Sequence, residues 1–337
     1  MAMNRLLVWV MASVLLLLSG GQAHAWGDSG HRIIGRLGME SLPPQLPAFL
    51  RTPEIAEQVA EYAREPDRWR NAGKLHDSDR DAAHFVNLDD LARAESGDRI
   101  DQLPPRRVDF EAALAARHTD VIRAGYLPYA ILDGYQQLAK DFAYYRVETL
   151  ALERETKPSR RAWYAKDLEW RKALIVRDIG VWAHYVGDGS QPMHLSIHYN
   201  GWGNFPNPNN YTLAHVHAAF EGQFVRDQVS VARARAALRP YRPCPAPIDS
   251  CVAGYLKSTW SELTPYYEIE KRGGFRALSP EAIDFTTHRV ADGAAELRDL
   301  IILAWSASTN MKAGYHGVTA MDVQHGADAW EALYGDD

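Results

Sequence analysis

Two histidine–carboxylate pairs carry the strongest chemical signal in this chain. His184 and Asp188 are four residues apart, His217 and Glu221 repeat that spacing, and His194 follows the first pair. On an α-helix, residues four apart lie one turn apart on the same face, so each pair could bind one ion. Imidazole and carboxylate together suit zinc, and a catalytic zinc site keeps one position open for water. A single pair is more often a solvated helix face, but two pairs in one chain favour a metal site.

A third set of candidate residues lies earlier in the chain. His84 opens the segment His-Phe-Val-Asn, which ends at Asn87. Asp67 precedes it in the segment Pro-Asp-Arg-Trp-Arg, which ends at Arg70. These residues add one imidazole and one carboxylate to the candidate ligands.

Residues 1–25 have the pattern of a secretory signal peptide. Arg5 is followed by an apolar run over residues 6–18 and by Ala-His-Ala at residues 23–25, the form of a signal peptidase site. Cleavage there leaves a chain that begins at Trp26 and reaches His31 five residues later. A free α-amino group and its own carbonyl can bind a metal together. Cleavage is therefore expected to create a metal ligand at Trp26, with His31 close enough to join it.

The composition is that of an exported globular protein. The chain is 46% apolar and 24% charged, and no later stretch is apolar for long enough to span a bilayer. We expect one domain over residues 26–337 in a secreted or periplasmic protein. Cys244 and Cys251 flank a proline-rich loop, which predicts a local disulfide in an oxidising compartment.

The formal net charge of −6 argues against a broad basic surface that coats nucleic acid. A phosphate-ester substrate would instead require positive charge concentrated in one place, which bound metal ions can supply.

Helical patterning dominates the chain and predicts an all-α domain with long functional loops. Six segments carry apolar residues at three- and four-residue spacing, and none shows the sustained alternation of a strand. The predicted helices cover residues 54–71, 109–124, 133–152, 160–187, 212–238 and 280–307.

At the motifs described above, the chain resembles the superfamily of zinc-dependent phospholipases C and single-strand-specific nucleases. Members share a mature N-terminal tryptophan, an H-[YF]-x-G-D-x-x-Q-P-x-H core and a later H-x-x-x-[DE] pair. Residues 26–225 carry the resemblance, which implies an all-helical fold around a cleft that holds three zinc ions. The ligands that it implies, grouped by ion, are Asp67, His84, His184 and Asp188; the Trp26 amine and carbonyl, His31 and the shared Asp188; and His194, His217 and Glu221.

The nuclease branch is the favoured member of this superfamily. The mature start W-G-x-x-G-H resembles its opening signature, and Arg70 falls where such nucleases keep a phosphate-binding cation. The resemblance implies a zinc-dependent endonuclease for single-stranded DNA and RNA, in which zinc activates the attacking water. It leaves an additional 3′-nucleotidase activity open. The expected catalytic residues are Asp67, Arg70 and Asn87.

Two departures keep other functions open. Glu221 and the Gln-Pro-Met-His run resemble the phospholipase branch, which favours phosphatidylcholine-type lipids as the alternative substrate. Asn87 stands where nucleases usually carry an aspartate, and an amide cannot act as a base. Either zinc alone activates the water or Asp67 assists. A zinc-stabilised binding protein without turnover is the third possibility.

The loop over residues 199–207 is expected to form a wall of the substrate pocket. Trp202, Asn204 and Phe205 are its candidate substrate-binding residues. The two aromatic rings could stack on a base, cover a lipid headgroup or pack the loop itself. Single-stranded nucleic acid is the expected substrate, and the sequence indicates no stable protein partner.

Overall fold

The fold is built almost entirely from helices. A computed structural model describes residues 26–89 and 103–335, so the expected signal peptide at 1–25 lies outside the described residues. The α-helices in chain order are α1 (Gly27–Glu40), α2 (Pro53–Tyr62), α3 (Glu65–Arg68), α4 (Lys74–Asp81), α5 (Arg107–Ala116), α6 (Val121–Ala124), α7 (Leu127–Arg154), α8 (Pro158–Asp188), α9 (Val225–Gln228), α10 (Val231–Ala236), α11 (Ile248–Trp260), α12 (Leu263–Lys271), α13 (Pro280–Ala307), α14 (Ala320–Gln324) and α15 (Trp330–Tyr334).

Strands contribute little to the fold, and short helical segments complete it. Strand pairing within the described residues is limited to isolated bridges, such as that between Val86 and Gly125. The all-α prediction is therefore confirmed. In the described ranges, 3₁₀ segments cover Ala48–Arg51, Ala82–His84, Pro192–Leu195 and Ser308–Asn310, and a π-helical segment covers Ala219–Phe224.

Three long helices form the frame of the molecule. α8 follows α7 after a short turn and packs back along it, while α13 packs against both α7 and α1. α1 lies between α13 and α2 and also contacts α8. Proline occupies the first turn of α7, α8 and α13, where its missing N–H has no partner in a helix anyway. The predicted helices over 133–152, 160–187 and 280–307 correspond to these three elements.

The predicted helix over residues 54–71 is wrong as a continuous element, because α2 and α3 replace it. Pro66 lacks the N–H that a continuing helix would donate, and Asn71 adopts a left-handed backbone with φ of 66°. The interruption places Asp67 on a separate short helix.

The predicted helix over residues 109–124 is also interrupted, because α5 and α6 occupy it. Asp120 has an extended backbone, and its Oδ1 accepts a hydrogen bond of 3.0 Å from the backbone N–H of Arg123. A capping residue of this kind ends one helical path and begins the next.

The predicted helix over residues 212–238 is also wrong as a continuous element, because shorter helical segments occupy this range. Its helical part begins only at His217, and the π-helical segment, α9 and α10 follow. Ser230 caps α10, because its Oγ accepts a hydrogen bond of 3.2 Å from the backbone N–H of Arg233. The sequence also failed to predict α11 and α12.

The predicted disulfide is confirmed. Cys244 and Cys251 are bonded, with their Cα atoms 6.1 Å apart, and they fix the loop that leads into α11. No helix in the described ranges combines the length and the apolar character that crossing a bilayer requires.

Glu148 is a buried acid between α7 and α8. Its side chain is fully buried, and its Oε1 lies 3.6 Å from Nε of Arg171. Burial raises the pKa of the carboxyl to about 8; Asp167 raises it further and Arg171 opposes the shift. The folded protein therefore keeps a proton on Glu148 at pH values where the unfolded chain has released it.

We expect Glu148→Gln to flatten the pH dependence of stability. In the wild-type protein this carboxyl makes the free energy of unfolding fall as pH rises from about 5 towards 8, because only the unfolded chain releases the proton. Glutamine has no ionisable proton, so the variant loses this contribution to the pH dependence of stability. Urea denaturation at the two pH values measures the difference, with Glu153→Gln on the exposed side of α7 as the matched control. Equal pH dependence in the wild type and both variants would contradict the assignment.

Candidate metal centre

The end of α8 and the first half of α1 form the base of the site. α8 carries His184 and Asp188 one turn apart, and the ring of His31 from α1 stacks on His184 with centroids 3.8 Å apart. A Cβ on Gly187 would lie 3.1 Å from Nδ1 of His31. Glycine at this position therefore allows the two helices to approach closely enough for their side chains to meet.

Three groups of histidine and carboxylate side chains could each hold a metal ion. Within each group the ligand atoms lie no more than 4.8 Å from one another. Every residue of the groups is buried except Asp67, which is partly buried. The groups, named after one member, are the His31 group (His31, His184, Asp188), the Asp67 group (Asp67, His84, His184) and the Glu221 group (His194, His217, Glu221).

Two short helical segments supply the Asp67 group. α3 carries Asp67, and the 3₁₀ segment before Phe85 ends at His84. Nε2 of His184 lies 2.9 Å from Nδ1 of His84 and 4.0 Å from Oδ1 of Asp67. His184 belongs to this group and to the His31 group, so the two groups adjoin.

The Glu221 group combines a 3₁₀ segment with the π-helical segment. Nε2 of His217 lies 2.7 Å from Oε2 of Glu221, and Nε2 of His194 lies 3.3 Å from Oε1 of the same carboxylate. Gln191 donates a hydrogen bond of 2.5 Å from Nε2 to Oε1 of Glu221. Its side chain therefore fixes the orientation of the carboxylate.

Asp188 connects the three groups. Its Oδ2 lies 3.1 Å from Nδ1 of His84 and 3.4 Å from Nε2 of His184. Its Oδ1 lies 3.5 Å from Nε2 of His31 and 3.7 Å from Nδ1 of His194. One fully buried carboxylate thus contacts four imidazoles, and the groups form a single centre.

Backbone carbonyls orient three of the rings. A carbonyl can only accept, so the ring nitrogen beside it carries the proton and the other nitrogen presents a lone pair. Outer partners of this kind are typical of histidines that bind metals. The pairs are Nδ1 of His184 with O of Ala63 at 2.8 Å, Nδ1 of His194 with O of His84 at 2.6 Å, and Nδ1 of His217 with O of Tyr199 at 2.6 Å.

This orientation makes a cation the natural occupant of the Glu221 group. Nε2 of His194 and Nε2 of His217 lie 3.2 Å apart, and each carries the lone pair of its ring. Two lone pairs at that distance repel unless a proton or a metal ion lies between them. Oε2 of Glu221 and Oδ1 of Asp188 accept no hydrogen bond from the described residues. Buried oxygens without donors are well suited to a metal ion.

Burial shapes the ionisation of the centre. It lowers the pKa of His84 and of His184 well below the usual value, so both rings are neutral as metal binding requires. Burial, aided by Asp67 and Glu221, raises the pKa of Asp188 well above its usual range. For Glu221 the burial effect is opposed by His217 and His194, which hold its pKa at about 2. A bound cation would favour the charged form of every carboxylate here.

Trp26 is fully buried against the same centre. Its Nε1 donates hydrogen bonds of 2.8 Å to O of Gly187 and 2.9 Å to Oγ of Ser190. The next residue, Gly27, has φ of 51°, and a Cβ there would lie 3.0 Å from O of Glu221. The backbone that follows Trp26 therefore runs beside the Glu221 group. Ligation by the Trp26 amine and carbonyl remains a prediction.

The two other predicted catalytic residues lie at the edges of the centre. Nε of Arg70 lies 3.5 Å from Oδ1 of Asp67 and 3.3 Å from Oδ1 of Asp81, so its guanidinium is beside the Asp67 group. Asn87 donates a hydrogen bond of 2.7 Å from Nδ2 to O of Arg123. Its amide is on the wall of a cavity rather than among the metal-binding groups.

This cavity has a volume of about 480 Å³, and Oδ1 of its lining residue Asn200 accepts a hydrogen bond of 3.2 Å from the backbone N–H of His217. Aromatic, amide and basic side chains line it, and no carboxylate is found among the described residues of its lining. Its walls include Asn87, Arg123, Tyr199, Asn200, Phe205 and His215.

Among the predicted substrate-binding residues, only Phe205 lines the cavity. Trp202 stacks on His198 with centroids 3.7 Å apart and meets Tyr267 edge to face. Its ring therefore packs the loop, and Asn204 is exposed outside the cavity lining. Trp202 and Asn204 do not line this cavity, and their part in substrate binding remains a prediction.

The sequence also failed to assign three supporting residues. Ser190 and Gln191 fix Trp26 and Glu221 through their side chains, and Arg123 lines the cavity. The first two lie inside the H-Y-V-G-D-G-S-Q-P-M-H run, so the motif itself pointed to them. Nothing around Arg123 in the sequence indicates a site.

No protein-family model matches this chain, and no curated protein matches it. The superfamily resemblance therefore remains a prediction from the motifs.

We expect His217→Ala to lower the metal content of the purified protein by about one ion per chain, because a site with two protein ligands left binds far more weakly. Elemental analysis after dialysis against zinc measures this. His215→Ala is the matched control, since His215 is exposed two residues earlier and belongs to none of the three groups. Equal metal content in both variants would show that the Glu221 group holds no ion.

Proposed function

We propose that this protein is a zinc-dependent endonuclease that hydrolyses phosphodiester bonds of single-stranded DNA and RNA. The observation that supports it best is the joining of three buried histidine–carboxylate groups through Asp188, beside a cavity that contains an arginine and no described carboxylate. Zinc is the proposed metal because sites that combine imidazole and carboxylate ligands suit it.

The residues of the three groups would hold the ions, with the Trp26 amine and carbonyl as additional ligands after signal-peptide cleavage. Bound zinc supplies positive charge for the phosphate oxygens and lowers the pKa of water. Three divalent ions would outweigh the charges of Asp67, Asp188 and Glu221. An acidic protein would thus present a positive centre to a phosphodiester.

Arg70 is proposed to bind the phosphate at the open side of the Asp67 group. Its guanidinium already lies beside Asp67 and Asp81, which hold it at the edge of the centre. A guanidinium can donate two parallel hydrogen bonds to phosphate oxygens and stabilise the charge that grows in the transition state.

Asp67 is proposed to accept the proton of the attacking water. Burial raises the pKa of its carboxyl to about 7 in the metal-free centre, and bound zinc would lower it again and keep the carboxylate in the charged form that a base requires. Asn87 cannot take that role, because an amide is not a base. Its amide instead contributes hydrogen-bonding capacity to the cavity wall.

The cavity favours a nucleotide over a choline headgroup. Phe205 could stack on a base, a contact of about 1–3 kcal/mol. The amides of Asn87 and Asn200 can pair with base edges. A quaternary ammonium would instead require carboxylates or an aromatic cage, and Arg123 would repel it. Paired strands hide the faces of their bases, so unpaired strands are the expected substrate.

We expect the metal-loaded protein to release acid-soluble nucleotides from single-stranded DNA and no phosphocholine from phosphatidylcholine micelles. Asp188→Asn should lower the rate by about a thousandfold or more, because it removes the carboxylate that joins the groups. Asp227→Asn, an exposed carboxylate in α9, is the control and should keep full activity.

Phosphocholine release without DNA hydrolysis would replace this proposal with the phospholipase alternative. Zinc binding without hydrolysis of either substrate would favour a binding protein.

A chain that starts at Trp26 should bind about one more zinc ion than a chain with one additional alanine in front, because the extra peptide bond removes the free amine. Elemental analysis and DNA hydrolysis measure the two proteins side by side. Circular dichroism checks that both are folded. Equal metal content and activity would exclude the amine as a ligand.

A further inference from the structure

Arg123 is an arginine in the cavity wall whose charge has no described partner. Its side chain is exposed, and its guanidinium makes neither a hydrogen bond nor an ion pair with any residue in the described ranges. The backbone of Arg123 is fixed, by contrast. Its N–H donates to Oδ1 of Asp120 at 3.0 Å, and its carbonyl accepts from Nδ2 of Asn87 at 2.7 Å. The backbone of Arg123 is therefore fixed, while its guanidinium has no partner among the described residues.

The wall that contains Arg123 is continuous with the metal centre. The N–H of Val86 donates to O of His194 at 2.9 Å, one residue before Asn87 in the chain. Tyr199 lines the cavity, and its carbonyl accepts from Nδ1 of His217. Two residues of the cavity wall, Tyr199 and Asn200, thus contact His217 of the Glu221 group by hydrogen bonds.

The chemistry of the wall matches one unit of a polynucleotide. A guanidinium binds phosphate oxygens with two parallel hydrogen bonds, and Phe205 and Asn87 offer a stacking face and an amide. A strand with one phosphate at the metal centre carries its next phosphate one nucleotide away. A substrate with a single phosphate has no second phosphate for Arg123 to bind.

We propose that Arg123 determines substrate length by binding the phosphate next to the one that is cleaved. This inference rests on the proposed nuclease function. It makes Arg123 a specificity-determining residue for substrates with two or more phosphates, and it assigns no part in the bond-breaking step to this side chain.

Arg233 provides a close structural match for a control. It is also exposed, lies at the same position of a short capped helix, and donates its backbone N–H to the capping Ser230. Its guanidinium likewise has no partner among the described residues, but it is not part of the cavity lining. Arg123→Gln and Arg233→Gln therefore remove the same charge from similar local structures.

The experiment compares kcat/KM for a thymidine trinucleoside diphosphate and the corresponding dinucleoside monophosphate, using the zinc-loaded protein. The wild type should prefer the longer substrate. Arg123→Gln should reduce the ratio of the two kcat/KM values about tenfold, which corresponds to one hydrogen-bonded charge contact. Arg233→Gln should leave the ratio unchanged. Arg123→Lys should keep part of the preference, because an ammonium also attracts phosphate.

The outcomes separate this inference from the function on which it rests. Hydrolysis by the wild type with an unchanged ratio in Arg123→Gln would overturn the role of Arg123 alone. An equal loss in Arg123→Gln and Arg233→Gln would also overturn it, since it would reflect net charge. Absence of hydrolysis by the wild type would overturn the nuclease proposal and this inference together.

Discussion

The burial of the Asp188 carboxylate is the constraint on which the rest of the site depends. A carboxylate removed from water is unfavourable unless donors or cations surround it. Here four imidazoles surround it, from α1, α8 and the segments that end at His84 and contain His194. The close contact at Gly187 and the end of α8 at Asp188 both serve this arrangement. Each brings a ring within reach of the same two oxygens.

The irregular segments are as important as the long helices. The carbonyls that orient the rings belong to Ala63, at the end of α2, to His84 and to Tyr199, in the long loop. Carbonyls inside a regular helix are used by the helix itself. Interrupted helices therefore provide acceptors that a continuous bundle would lack. Ala63 is at a helix break that the sequence failed to predict, whereas Tyr199 is in a loop that it did predict.

Sequence spacing predicted the parts of the site that follow from helix geometry. His184 with Asp188 and His217 with Glu221 meet because four-residue spacing brings side chains together locally. The all-α fold and α13 were predictable for the same reason, since apolar periodicity is a local signal. The contacts of Asp188 with distant histidines, the packing of Trp202 and the place of Arg123 were not predictable. They depend on which elements pack together, and no local pattern encodes that.

The hydrogen bond from Trp26 to Gly187 joins residues 161 positions apart in the chain. Its formation requires Trp26 to reach the end of α8, which is synthesised much later. A contact across that distance is non-local, so its formation must offset the entropy of closing a long loop. A partly folded chain would hold its imidazoles apart, without the three assembled groups. The three groups therefore depend on the packing of parts of the chain that are far apart in sequence.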